Sequence, residues 1–87
     1  MKLVWFDKAW DDYLYWQTQD KRTLKRINAL IKDIERNGAL VGIGKPEALK
    51  DNLSGWYSRR IDDVNRLVYR ITADGVIEIA MCKDHYC

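Results

Sequence analysis

The chain has 87 residues, 47% of them hydrophobic and 32% charged, which suffices for one modest core and excludes a second domain or a linker rich in Pro, Gly or Ser. No stretch reaches the ~18–20 apolar residues of a membrane span, and the apolar run ending at Phe6 meets Asp7 too soon for a signal peptide, so a cytoplasmic protein with no membrane partner is expected. A net charge of +2 is too small to hold nucleic acid by itself, because affinity for a polyphosphate scales with the phosphates neutralised, so local clustering must carry any such function.

Lys2 to Phe6, with β-favouring Val4, Trp5 and Phe6, predicts a short strand ended by Asp7, a good N-cap for a helix. Trp10, Tyr13, Leu14 and Gln17 recur at helical spacing and predict an amphipathic helix over 7–18. Trp5 and Trp10 suit either the core or an interface. Asp20 caps a second helix whose apolar stripe is Leu24, Ile27, Leu30, Ile31 and Ile34, with Lys21, Arg22, Lys25, Arg26 and Lys32 on its basic face. Asn37-Gly38 closes that helix with a left-handed C-cap signal, and the short Thr18-Gln19 connection makes the pair an αα-hairpin.

Gly38, Gly42, Gly44 and Pro46 break all periodicity from 38 to 53, which marks a functional loop. Three strands follow, Trp56 to Ile61, Arg66 to Thr72 and Val76 to Lys83, the last two joined by the hairpin signal Asp74-Gly75. The fold expected is α+β: an N-terminal strand, a two-helix hairpin and an antiparallel meander, with the helices packed on one face of a four- or five-stranded sheet.

With Asp74 and Gly75 as the two central turn residues, Ala73 pairs with Val76, Arg66 faces Lys83, and His85 becomes the diagonal neighbour of Arg66. The other face then sets Leu67, Tyr69 and Ile71 against Ala80 and Cys82 as a core. A three-residue loop at Asp63-Val64-Asn65 pairs Ile61 with Leu67 and puts Arg60 beside Arg66.

One face therefore gathers Arg60, Arg66 and the sole histidine, His85, with Lys45, Glu47 and Lys50 on the nearby loop. That inventory suits cleavage of RNA by internal attack, which needs a base for the 2′-hydroxyl proton, an acid for the leaving 5′-oxygen and cations for the charge growing on the phosphate. Glu47 serves as base, His85 as acid, and Arg66, Arg60 and Lys50 as the phosphate clamp, arginine's planar fork suiting phosphate better than lysine's point charge. The plain alternatives are a loop carboxylate at Glu47, a solvated strand face at Arg59 and Arg60, and a surface tail at His85. Cys82, His85 and Cys87 form a Cys-x2-His-x-Cys cluster without a fourth ligand, so free thiols and no metal or cofactor are expected.

Several blocks carry more than this chemistry: Trp10-Asp11-Asp12-Tyr13 with Tyr15-Trp16, Asp20-Lys21-Arg22, Gly42-Ile43-Gly44-Lys45-Pro46-Glu47 with Leu49-Lys50, Asn52-Leu53-Ser54-Gly55, Ser58-Arg59-Arg60-Ile61, Arg66-Leu67-Val68-Tyr69 and His85-Tyr86. In these, over nearly its whole length, the chain resembles the YoeB toxins of the RelE superfamily. The resemblance implies a fold related to microbial ribonucleases and a ribosome-dependent endonuclease that cuts mRNA in the ribosomal A site. Glu47 corresponds to the general base, His85 to the general acid and Arg66 to the phosphate-stabilising arginine, with Lys50, Arg60 and Tyr86 in support and Lys45 and Arg59 completing the RNA-binding set.

The same resemblance implies a neutralising, YefM-like antitoxin, a tendency to homodimerise, and the ribosome as partner, the basic face of the second helix being either a ribosomal RNA contact or simply solvated. Three departures are visible: Asn65 where the family often has histidine, Gly38-Ala39-Leu40-Val41 in place of a Pro-Phe element, and Cys87 beyond the usual His-Tyr end. Two other readings stay open, a non-catalytic gyrase-binding toxin of the ParE branch, which lacks the Glu, Arg and His set, and a plain interaction domain.

Overall fold

A computed structural model describes residues 1–85. Its elements are β1 (Leu3–Trp5), α1 (Asp7–Gln19), α2 (Lys21–Asn37), β2 (Glu47–Ala48), a single 3-10 turn (Asp51–Leu53), β3 (Tyr57–Arg60), β4 (Arg66–Ile71) and β5 (Ile77–Met81). The sheet has five strands in the order β1-β5-β4-β3-β2, antiparallel except that β1 runs parallel to β5. Both helices contribute to one core with β4 and β5, so the α+β arrangement expected from the sequence is the one found.

α2 follows its sequence signals closely. The Asp20 carboxylate accepts from the backbone N–H groups of Arg22 and Thr23 and from the Thr23 hydroxyl, satisfying donors that a helix start leaves unpaired. Ile27, Leu30, Ile31 and Ile34 are buried, and Gly38 ends the helix at φ +87, its N–H bonded to the Ile34 carbonyl.

α1 differs from expectation at its start and in its buried face. Phe6 occupies the N-cap without a side-chain cap bond, and Asp7 is the first helical residue. The buried positions are Ala9, Asp12 and Trp16, while Trp10 and Leu14 are exposed. The face is chosen by β5: small Ala9 permits close approach, and the Trp16 indole N–H needs the acceptor it finds at the Cys82 carbonyl, 2.9 Å away.

The β4–β5 hairpin is also offset from the expected register. Ala73-Asp74-Gly75 is a three-residue connection, with Thr72 N–H on the Val76 carbonyl (2.9 Å), Gly75 N–H on the Thr72 carbonyl (2.9 Å) and Gly75 at φ +80. Ile71 then pairs with Ile77 and Tyr69 with Ile79, and an irregularity between Val68 and Tyr69 brings Val68 opposite Met81. A two-residue turn would have set Glu78 against Ile71 and turned Ile77 and Ile79 out of the core, since a slip of one residue flips every side chain. The observed turn buries both isoleucines, and the bulge returns Cys82 to the same side.

Between β3 and β4 the register differs by two residues from the expected one: Leu67 faces Arg59 rather than Ile61, and Arg60, expected as a diagonal neighbour of Arg66, stands directly opposite it. The longer connection, residues 61–65, is folded by Asp62, whose Oδ1 accepts from the N–H groups of Val64 (2.8 Å) and Asn65 (2.7 Å).

Candidate active site

Alternation along the strands sorts the cations. Leu67 and Tyr69 point into the helix-packed core, and Tyr57 packs against it. Ser58 and Arg60 on β3 and Arg66, Val68 and Arg70 on β4 therefore occupy the opposite face of the sheet. Glu47, paired with Ser58, joins that face from the edge strand. The base, one arginine of the clamp and the phosphate-stabilising arginine expected from the sequence thus meet on one surface: Glu47 beside Ser58, and Arg60 across from Arg66.

The glycine-rich loop is built around Arg59. This side chain is fully buried and donates from Nε to the Tyr69 hydroxyl, from Nη1 to Asp33 and the Ile43 carbonyl, and from Nη2 to the carbonyls of Gly38 and Val41. Its assignment to RNA binding is therefore corrected: all of its donors face the interior, where it organises the loop. The Arg59 hydrogen bond and charge, with the Ile43 N–H, hold the Asp33 carboxyl below its ordinary pKa against the opposing effect of burial. Gly42, at φ +125, has no room for a side chain, because a Cβ there would lie 1.8 Å from Asp33 Oδ2. Gly44, at φ +82, accepts the Arg60 N–H at 2.7 Å, which ties the loop to β3 and delivers Lys45, Pro46 and Glu47 to the sheet edge. Lys45 and Lys50 are exposed beside Glu47, and the 47–53 segment encloses an open cleft of about 300 Å³.

The C-terminal segment is tied down at successive residues. The Cys82 N–H donates to buried Asp12 Oδ2 at 3.0 Å, its carbonyl accepts from Trp16, and its thiol lies 3.6 Å from the Ala9 carbonyl. Burial first, and the nearby Asp12 charge second, push that thiol up to about 12. Lys8 bonds Asp12 and reaches Asp84 at 3.8 Å. Asp84 adopts φ +67, its N–H donating to Asn65 Oδ1 at 2.7 Å and its carbonyl accepting from the Arg66 N–H at 2.8 Å.

His85 therefore comes directly after the carbonyl that Arg66 holds, and it is exposed. This differs from the expected Arg66–Lys83 pairing while keeping His85 at the end of β4. The Arg66 guanidinium donates through Nη1 to the carbonyls of Asp62 (2.8 Å) and Asn65 (3.1 Å). Burial works against the Asp62 charge, but hydrogen bonds from Asn65 and Val64 and the proximity of Arg66 outweigh it and lower its pKa. Tyr86 and Cys87 lie outside the described residues.

Sequence reading alone missed Asp12, Asp33, Asp62 and Asn65. Asp12 carried one usable sign, a Lys8 four residues earlier on the same helix face. For Asp33 and Asn65 the partners that tie the site together, Arg59 and Ile43 for the one and Asp84 for the other, lie in distant segments.

Chemically, the face offers a carboxylate and two facing arginines, and the exposed His85 follows the carbonyl bonded to the Arg66 N–H where β4 begins, which are groups that general acid–base chemistry on a phosphodiester uses. A family profile described as a YoeB-like toxin of bacterial type II toxin-antitoxin systems matches residues 5–86. Toxin YoeB of Escherichia coli K12 is 57% identical over 86 residues, covering 99% of this chain and all of that one. The YoeB/ParE toxin from Agrobacterium tumefaciens superposes with a TM-score of 0.95 at 44% identity, over 99% of this chain and all of the other. The YoeB of a heterotetrameric YoeB-YefM complex from Staphylococcus aureus does so with a TM-score of 0.92 at 52% identity, over 99% and 98%. By profile, full-length identity and fold, the chain belongs to the YoeB-like toxins of bacterial type II toxin-antitoxin systems.

Proposed function

We propose that this toxin is a ribosome-dependent mRNA endoribonuclease acting through its own side chains in the cytoplasm. One observation carries the reading: Arg60 and Arg66 stand directly opposite each other on the sheet face that Glu47 joins at Ser58, two residues along β3, and the Arg66 N–H binds the carbonyl that precedes His85. Glu47 takes the proton of the 2′-hydroxyl as its oxygen attacks the adjacent phosphorus. His85 gives a proton to the departing 5′-oxygen, and the added phosphorane charge falls to Arg66 and Arg60. Lys45 and Lys50 hold the flanking backbone, and Tyr86 shapes substrate position at the chain end.

The +2 net charge fits delivery of mRNA by the ribosome, since orientation supplied there replaces intrinsic RNA affinity. The exposed basic side chains of α2, among them Lys21, Arg22, Lys25 and Lys32, are assigned to ribosomal RNA. A YefM-like antitoxin is the expected neutralising partner, and the exposed Trp10 and Leu14 of α1 are the surface assigned to a homodimer.

The test is primer extension on mRNA translated in vitro, with and without ribosomes and toxin. Cuts should require both, and Glu47→Ala or His85→Ala should slow cutting by about 10²–10⁴-fold. Undiminished translation arrest by Glu47→Ala would transfer the toxin to a non-catalytic, binding-only mode of action.

A further inference from the structure

The sheet face that carries the candidate site continues past it into a row nothing in the catalytic reading uses. Trp56 precedes β3 and, by the β3–β4 register, stands opposite Arg70, which in turn pairs with Glu78 on β5. The Arg70 guanidinium carbon lies 4.2 Å from the Trp56 ring centroid, over the ring, and Arg70 Nε is bonded to Glu78 Oε1. Phe6 meets the same indole edge-on at 5.5 Å between centroids. The Arg70 side chain nevertheless remains 43% exposed. A guanidinium packed on an indole and held at its edge by a carboxylate is a fixed planar cation with an outward side, unlike the mobile, hydrated charge of a surface lysine.

We propose that Arg70, backed by Trp56 and oriented by Glu78, is a stacking platform for an unpaired base of the single-stranded RNA substrate. Bases splayed from single strands stack on aromatic rings and on arginine planes. The row lies four residues along β3 from Arg60, about 13 Å at strand rise, so a strand whose scissile phosphate sits at Arg60 and Arg66 brings a neighbouring base within its reach. The base it holds fixes how the chain passes Glu47. This inference rests on the endoribonuclease reading and adds a substrate subsite to it.

The experiment uses ribosomes programmed with synthetic mRNAs in which an abasic nucleotide replaces each position flanking the cut in turn. The full-length toxin is compared with Arg70→Ala, Arg70→Lys and Glu78→Gln under single-turnover conditions, with thermal melts to confirm folding. At one position the abasic substitution should lower the cleavage efficiency of the unsubstituted toxin by roughly tenfold and leave Arg70→Ala unaffected. Arg70→Lys should resemble Arg70→Ala, since it keeps the charge but loses the plane, and Glu78→Gln should fall between. Equal abasic penalties for the unsubstituted toxin and Arg70→Ala at every position would overturn the platform while leaving the nuclease reading standing. Absence of ribosome-dependent cuts by the unsubstituted toxin would remove the nuclease reading, and the platform with it.

Discussion

Arg59 on β3 is ion-paired with Asp33 on α2 from a position with no solvent exposure. Asp33 Oδ2 also accepts the Ile43 N–H at 3.1 Å, so one carboxylate joins helix, strand and the loop that carries Lys45 and Glu47. Arg59→Ala should therefore cost about 3–5 kcal/mol, the range for removing one partner of a buried pair. Arg59→Lys should recover little, because an ammonium cannot reach the Tyr69 hydroxyl and three loop carbonyls together. Urea unfolding monitored by tryptophan fluorescence checks both, and a loss below about 1 kcal/mol for Arg59→Ala would be incompatible with the loop-organising role.

The same pair sets an acid limit. Asp33 has a lowered folded pKa, so its contribution is present above the ordinary aspartate pKa and is lost as pH falls through the folded one. Asp33→Asn should be markedly less stable than the parent near neutrality, and the gap should close progressively from about pH 5 downward. Stability curves at several pH values read this directly; a gap that stays constant into strong acid would show that the carboxylate charge contributes nothing.

Asp12 anchors the segment that leads to His85. Asp12→Ala leaves the buried Cys82 N–H without its acceptor and should cost about 1–3 kcal/mol. Amide exchange at Cys82 should accelerate more than at Ile79, whose strand pairing with Tyr69 is untouched. Equal acceleration at both would indicate general loosening instead of a released tail.

Asn65 is a positioning residue for the same segment. Its side-chain oxygen holds the Asp84 N–H, while its side-chain nitrogen bonds both oxygens of Asp62. Asn65→Ala should lower mRNA cleavage roughly tenfold at saturating ribosomes while costing only about 1 kcal/mol of stability. Asn65→His, the residue the family often has here, should restore cleavage, since an imidazole can offer a donor and an acceptor together. A proportional loss of activity and stability, unrescued by histidine, would reduce Asn65 to an ordinary turn residue.

Cys82 should be chemically silent in the folded protein. With its thiol pushed up to about 12, almost no thiolate exists near neutral pH. Iodoacetamide at pH 8 should alkylate Cys82 only as fast as the chain unfolds, resolved from Cys87 by peptide mass spectrometry. Rapid labelling of Cys82 without denaturant would contradict its burial.

Much of this architecture is legible in the residues alone. The α2 stripe from Leu24 to Ile34, the Asp20 cap and the Gly38 stop are local signals, each acting within a few residues, and all three act as expected. That Arg60 and Arg66 share a face, though not their direct pairing, and the choice of Glu47, Arg66 and His85 as candidates were reachable because strand order and residue chemistry are written along the chain.

Three-dimensional packing decided the rest. Pattern alone could not choose between a two-residue and a three-residue turn at Asp74-Gly75; burial of Ile77 and Ile79 chose, and a bulge then returned Cys82 to the core. Nor could it distinguish Arg59 from Arg60. Adjacent strand residues point to opposite faces, and only the position of Asp33 and the loop carbonyls made the inward arginine a satisfied one. Local sequence determined which elements form and which groups are available, because propensity and capping act over a few residues. Which side chains meet depended on satisfying buried donors and acceptors between distant segments, and those constraints exist only once the segments are packed.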